Sequence, residues 1–465
     1  MSNRKRVIYL LLAVAMLLAT NVLPLPHGLT RSGLHALGLL SACVILWVTK
    51  AMPLILSSLM GLVAMPYLGI LPMEDVWSSF SSQVLFFTLA SFGISAGFAK
   101  TNLPQVLVKK VFLWSRGNTR KIVFGFFAAT AAVSAFISDI PAVVIFAEIA
   151  AGLLEGLRES RATPTGFAKA LMIAIPAGAL MGGASTPAGN SLNVMIMSGL
   201  QSMTGQEITF LSWSIVGIPI AVISVFGAWK ILCMVFRPQP IDQEILTAYA
   251  VGLGEKAQLD AKDRKFLAIM GVTVLAWFAG TWIPSLNIAV IALCAVAAML
   301  LPGIEIMNGE DFVKGVNWEI FVMVGCIIAI GHGVYQTGAI TWCMDIIASN
   351  TSALPKIAVL AIISLIPCVL HICLPLAGVI YALAFFPVMQ MAIDSGIDGA
   401  VAAKIFGIWM NSEYILPTDT IILLSFGYGY FSSKDLAKAG VWITLMIFLL
   451  TVLVCPLVGT ILTHF

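Results

Sequence analysis

Met181 to Asn193 reads MGGASTPAGNSLN and lies inside an apolar segment running from Ala168 to about Leu200. A membrane helix of that length should not gather Gly182, Gly183, Ser185, Thr186, Pro187, Gly189, Asn190 and Ser191 within ten positions. Pro187 removes an amide donor and clashes with the preceding turn, and the glycines loosen the backbone further. In lipid, a backbone interrupted this way is tolerated only where it faces protein or a wet cavity. The stretch therefore predicts a discontinuous transmembrane helix over 168–200 whose break lines a binding site, the sequence pointer of a secondary transporter. A simple proline kink needs far fewer such residues.

The rest of the chain is as apolar as that segment. Hydrophobic residues make up 60% and charged residues 10% of the 465 positions, and the mean hydropathy is +1.01. Soluble domains carry about 25% charge, so an all-α polytopic membrane protein is expected. The net charge of +3 is too small for a nucleic-acid footprint. The eight cysteines show no metal-ligand or redox spacing. The start, MSNRKRVIYLLLAVAML, is similar to a signal peptide, but no small-residue cleavage site follows; an uncleaved first span is expected.

Lysine and arginine placement orients the spans. Asn3-Arg4-Lys5-Arg6 should be cytoplasmic, with a first span at about 7–25 inside an N-terminal unit 1–33. Spans at about 34–49, 53–72 and 84–99 lead to the basic stretch Lys100–Lys121, within which Leu103–Trp114 suits an interfacial helix. The segment at about 122–155 is interrupted at Ser138-Asp139-Ile140-Pro141 and has basic flanks on both sides. It is expected to enter and leave on one face as a re-entrant hairpin. The broken helix 168–200 and a span at 210–236 complete a first repeat over 34–236.

Residues 237–265 form the one long polar stretch, a cytoplasmic linker. A second repeat over 266–465 then follows. Its spans fall at about 266–284, 287–302, 317–340 and 438–462. Its hairpin lies at about 357–392, interrupted within Leu374–Gly378, and its broken helix at 400–430, interrupted at Leu416-Pro417-Thr418-Asp419-Thr420. Phe92–Thr101 is similar to Ile328–Thr337, Thr186-Pro187 aligns with Leu416-Pro417, and Pro141 with Pro375, all at nearly one offset. The second hairpin's flanks carry only Lys356 as a base. Positive-inside counting places its ends outside and makes the halves an inverted repeat, eleven spans and two hairpins in all.

Helix ends converge at such breaks. N-terminal amides attract anions, and C-terminal carbonyls suit a small cation. No Lys or Arg is expected inside a span, so dipoles, hydroxyls, amides and co-bound cations should meet an anion's charge. Asp139 and Asp419 sit at the symmetric breaks and are candidate ion or proton ligands. Ser138, Asp139, Asn190, Ser191, Thr418 and Thr420 should line the substrate. Glu413 lies just before the second break. Glu148 is open between an ion-binding and a packing role, Glu319 is read as structural, and His332 and His371 as hydrogen-bonded packing residues.

At these residues the chain resembles the divalent anion/sodium symporter family of dicarboxylate, citrate and sulfate transporters. The family's hairpin tip, Ser-Asn-Thr, corresponds to Ser138-Asp139-Ile140. Its Gly-Gly, spacer and Gly-Thr-Pro-Pro-Asn correspond to Gly182-Gly183 and Gly189-Asn190-Ser191-Leu192-Asn193. The resemblance implies a homodimer with a scaffold and an elevator-type transport domain, and a sodium held at Ser134, Ser138, Asp139 and Gly189. The second half departs from the pattern. Apolar residues within Leu374–Val379 replace the second Ser-Asn-Thr, and Pro417-Thr418-Asp419-Thr420 replaces Thr-Pro-Pro-Asn.

The expected function is sodium-coupled transport of a small anion, a di- or monocarboxylate, in a multi-pass bacterial inner membrane, with the N-terminus cytoplasmic and the C-terminus outside. Sodium is the expected coupling ion, and no cofactor is expected. Proton-coupled transport or exchange of a carboxylate, sulfonate or sulfate is the alternative, and an anion channel ranks last. No nucleophile–base set or metal cluster points to an enzyme.

Overall fold

The computed structural model describes residues 3–159, 165–241, 249, 252, 258–343, 355–374 and 376–456. The first half contains α1 (Asn3–Val22), α2 (Arg31–Thr49), α3 (Leu54–Tyr67), α4 (Met73–Ser78), α5 (Gln83–Ala99) and α6 (Leu103–Ser115). It continues with α7 (Thr119–Ile137), α8 (Asp139–Glu159), α9 (Thr165–Ser185), α10 (Ser191–Thr204) and α11 (Phe210–Phe236). The second half contains α12 (Ala261–Ala279), α13 (Ile288–Leu300), α14 (Gly309–Gly315), α15 (Trp318–Gln336) and α16 (Lys356–Cys373). It ends with α17 (Ala377–Asp394), α18 (Gly399–Met410), α19 (Thr420–Phe426) and α20 (Ser433–Leu449). The described residues form no strand.

Ten helices are long and apolar enough to cross a bilayer, or eleven if the bent pair α4–α5 counts as one. Each expected span coincides with a helix or a broken pair among the described residues, and the two expected hairpins coincide with the helix pairs α7–α8 and α16–α17, whose four arms are among those ten apolar helices. The third span is shorter than expected: its helix runs only from Leu54 to Tyr67, with Pro53 at its N-cap and Pro66 inside its last turn. Leu11, Leu18, Val22, Val222, Leu275 and Trp442 are exposed on outer faces, as apolar side chains are where lipid is the solvent. Pro375, most of the linker (242–248, 250–251 and 253–257) and the end of the last span (457–462) lie outside the described residues.

The first broken helix corrects the reading of its glycines. Gly182 and Gly183 do not break the helix; α9 runs on through Ser185, and the interruption is confined to 186–190. Gly178 and Gly182 instead form a notch on one face of α9, four residues apart. A Cβ at Gly178 would meet the Phe127 carbonyl oxygen, and one at Gly182 would meet that of Ala131. Small residues at this spacing let two membrane helices approach backbone to backbone. They seat α7 against α9, so the hairpin's first arm is fixed to the broken helix.

The second break is wider than Leu416–Thr420. α18 ends at Met410 and α19 begins at Thr420, so Asn411 to Glu413 are already in irregular chain. Spans also contain a buried cation, contrary to expectation. Lys404 in α18 is 6% exposed, and its Nζ donates to Ser212 Oγ at 2.9 Å. It lies little more than a turn from the start of α18, so its stem crosses the apolar layer to a hydroxyl at the start of α11.

Polar contacts bind the halves together. Lys100 Nζ lies 2.6 Å from Asp311 Oδ1, and Lys169 Nζ lies 2.8 Å from Asp435 Oδ1. The Asn102 amide donates to Asp263 Oδ1 at 2.7 Å. The hydrogen bond from Lys100 holds the Asp311 carboxyl below the usual carboxylate range.

Candidate substrate and cation site

The hairpin α7–α8 turns at a single residue. Ser138 has φ 103° and ψ 150°, a region essentially reserved for glycine that costs about 1–3 kcal/mol. The tip is anchored by α5, where Ser95 Oγ donates to the Ile137 carbonyl at 2.6 Å. The turn delivers Asp139 to the start of α8 with its carboxylate pointing into the protein, 2% exposed. Ser138→Gly should relieve the strain and raise thermal stability by about 1 kcal/mol, whereas Ser138→Ala should not. If both variants transport as wild type does, the hydroxyl has no binding role; a loss common to both assigns it one.

Asp139 is the centre of a network that joins both breaks. Ser134 Oγ lies 2.7 Å from Asp139 Oδ1 and 2.7 Å from the Ala179 carbonyl oxygen. Asn190, the N-cap of α10, accepts the Leu192 amide at Oδ1 (3.0 Å), which fixes the orientation of its side-chain amide. Its Nδ2 donates to Asp139 Oδ2 at 2.9 Å and to Asn411 Oδ1 at 2.7 Å. Asn411 Nδ2 donates to the Gly407 carbonyl at 2.9 Å and to Asn193 Oδ1 at 3.3 Å. Asn193 Nδ2 closes the circuit on the carbonyls of Gly183 (2.7 Å) and Thr186 (2.8 Å). Thr186 Oγ1 donates to the Ala135 carbonyl, tying the first break to the hairpin arm.

Oxygen atoms outnumber donors around Asp139. A serine hydroxyl has one proton, yet Ser134 Oγ faces two acceptors. A side chain at Gly189 would meet the carbonyl oxygens of Gly183 and Ser134 at 2.6 and 2.9 Å, so these oxygens sit in the same corner. A buried carboxylate with clustered hydroxyl and carbonyl oxygens is the donor set that a hard cation takes.

In front of this corner lies a cavity of about 340 Å³. Ser138, Asp139, Asn190, Ser191, Asp419 and Thr420 line it, from both breaks and the first tip, as does Leu376-Ala377-Gly378 at the second tip. Asp419 caps α19, accepting the Ile421 amide at 2.6 Å. Thr418 is not among the lining residues; its hydroxyl is buried without a hydrogen-bond partner. The irregular chain from Asn411 turns it away from the cavity. Glu148 faces outward from α8 and is exposed, so it takes no part. His332 pairs with Gln336 at 2.9 Å.

The sequence reading did not place six polar residues that line the cavity: Lys50, Thr88, Ser91, Asn317, Glu319 and Asn411. Lys50 is the one Lys or Arg among the lining residues, at the left-handed end of α2. Glu319 lines the cavity instead of serving only the interface. The one available signal was Asn411 standing five residues before the second Leu-Pro.

The family model described as CitMHS, citrate transporter, matches residues 44–406. The chain belongs to that family. It is a membrane transporter and not an enzyme. The expected likeness to the divalent anion/sodium symporters is borne out by relatives that match over nearly the whole chain. The sodium-dependent dicarboxylate transporter SdcS of Staphylococcus saprophyticus is 23% identical over 97% of this chain and 91% of its own length. SdcS of Staphylococcus aureus (strain bovine RF122 / ET3-1) is 24% identical over 97% of this chain and 90% of its own length. The Alcanivorax borkumensis YdaH transporter superposes with a TM-score of 0.54 at 12% identity, covering 82% of this chain and 86% of that one. That likeness establishes the fold alone.

Proposed function

We propose that this CitMHS-family chain is a sodium-coupled secondary transporter of a small carboxylate. Ser134, Ser138, Asp139 and Gly189 hold the coupling sodium. Ser138, Asn190, Ser191 and Thr420 bind the anion, with Lys50 supplying a formal positive charge. The observation that carries this reading is the Asp139 corner, where a buried carboxylate and surplus oxygens back directly onto an anion-sized cavity. A cation there offsets the carboxylate and favours the anion in front of it, so each ligand raises the affinity for the other. The names of the relatives support sodium and carboxylate; the family resemblance supports a homodimer and an elevator-type movement.

The Ser134 contact also favours a second reading, in which a proton on Asp139 is the coupling ion. A protonated Asp139 would donate to Ser134 Oγ and leave the hydroxyl proton for the Ala179 carbonyl.

Uptake of labelled succinate and citrate into proteoliposomes tests both. An inward sodium gradient should drive accumulation, and a proton gradient alone should not. Accumulation driven only by protons would replace sodium in the proposal. Gradient-independent exchange would make the protein an antiporter, and unitary currents in a planar bilayer would make it a channel.

A further inference from the structure

The two halves treat their internal corners differently. α7 and α16 are corresponding hairpin arms, ending at Ile137 and Cys373. In the first half Ser134, near the end of its arm, faces Asp139, and Gly183, in the last turn of α9 before the break, packs on that carboxylate. In the second half the residue near the end of the arm is His371. The alignment of Thr186-Pro187 with Leu416-Pro417 puts Glu413 where the first half has Gly183.

These two side chains meet. His371 Nδ1 lies 3.5 Å from Glu413 Oε2, with the side chains 3% and 5% exposed. Neither ring nitrogen and neither carboxylate oxygen makes a full hydrogen bond among the described residues, although the backbone amides of Thr418 and Asp419 also act on Glu413 and the Trp409 backbone on His371. The surroundings are Cys368, Ile372, Ser412, Tyr414, Ile415, Leu416 and Thr444, and the Asp419 carboxylate acts electrostatically on both groups. Cys368, Tyr414 and Asp419 are thus the titratable neighbours, and no Lys or Arg lines this corner.

We infer that His371 is a tethered counter-ion that fills, for Glu413, the place an exchangeable cation takes at Asp139, so the transporter binds a single coupling sodium. The pair is net neutral whether the shared proton rests on the imidazole or on the carboxyl. A hard cation needs several oxygens; here the one nearby carboxylate is engaged by the ring, and much of the remaining lining is apolar. The two corners therefore differ in what faces the carboxylate, one open to a solute ion and one closed by protein.

This inference rests on the sodium reading of the Asp139 corner, and the experiment separates the two. Binding of radioactive sodium to the purified full-length protein is counted at saturation, with thermal unfolding recorded alongside. Wild type should bind about one sodium per chain. His371→Asn/Glu413→Gln, which keeps shape and neutrality, should bind the same amount with affinity within about threefold of wild type. Asp139→Ala should bind none. Two sodium ions per wild-type chain would overturn this inference alone. So would loss of binding in the double variant with its unfolding temperature unchanged. No sodium bound by wild type would overturn the Asp139 reading itself and this inference with it. His371→Asn alone strips Glu413 of its partner; with the carboxylate freed, sodium dependence should become sigmoidal or transport should fail, and the double variant should restore wild-type behaviour.

Discussion

Asp139→Asn should fold as wild type and bind sodium at least about 100-fold more weakly, because losing one partner of a buried charge pair costs about 3–5 kcal/mol. The amide satisfies the same neighbours. Its nitrogen can donate to Ser134 Oγ, freeing the hydroxyl proton for the Ala179 carbonyl, and its oxygen can accept from Asn190 Nδ2. The substitution thus copies the protonated acid and removes only the charge. Unfolding temperature should hold while the sodium concentration for half-maximal uptake rises. The proton reading expects something else: uptake that no longer responds to a pH gradient. Unchanged coupling under both gradients would remove Asp139 from the mechanism.

Gly183→Ala should lower uptake about as severely through sterics, since overpacking a tight site costs about 1–3 kcal/mol and displaces the groups it strikes. The added methyl would lie on the Asp139 carboxylate itself. That side chain is short and held by Ser134 and Asn190, so it cannot turn aside without giving up both bonds. Gly182→Ala is the informative neighbour, because there the methyl meets the Ala131 main chain instead. It should separate α7 from α9 and depress the unfolding temperature more than Gly183→Ala does. If Gly183→Ala transports normally, Asp139 does not need its present position.

Much of this arrangement could be read from the residue order because polar residues in an apolar run have few explanations. Ser138-Asp139 had to be a turn facing protein, and Thr186-Pro187 and Pro417 had to interrupt helices. Chemistry that depends on what lies opposite was not legible. Gly182 looks the same as a helix breaker and as a notch for a carbonyl, and only the position of Ala131 decides between them. Asn411 appears as an ordinary residue at a helix end until Asn190 is placed beside it. His371 and Glu413 are separated by 42 positions, and an isolated membrane histidine carries no mark of its partner. Lys404 and Lys50 escaped because a lysine near a helix end reads as a boundary, whichever way its stem runs.

The carbonyls of Phe127 and Ala131, lodged in the recesses left by Gly178 and Gly182, act as teeth in a rack. Slipping one helix along the other by a residue would drive main-chain oxygen into a neighbouring side chain, so the two cannot creep past each other. Asp139 and the oxygens behind it must then change position as a single casting. Any rearrangement that exposes this corner to the opposite side of the bilayer has to find its sliding surface elsewhere in the molecule.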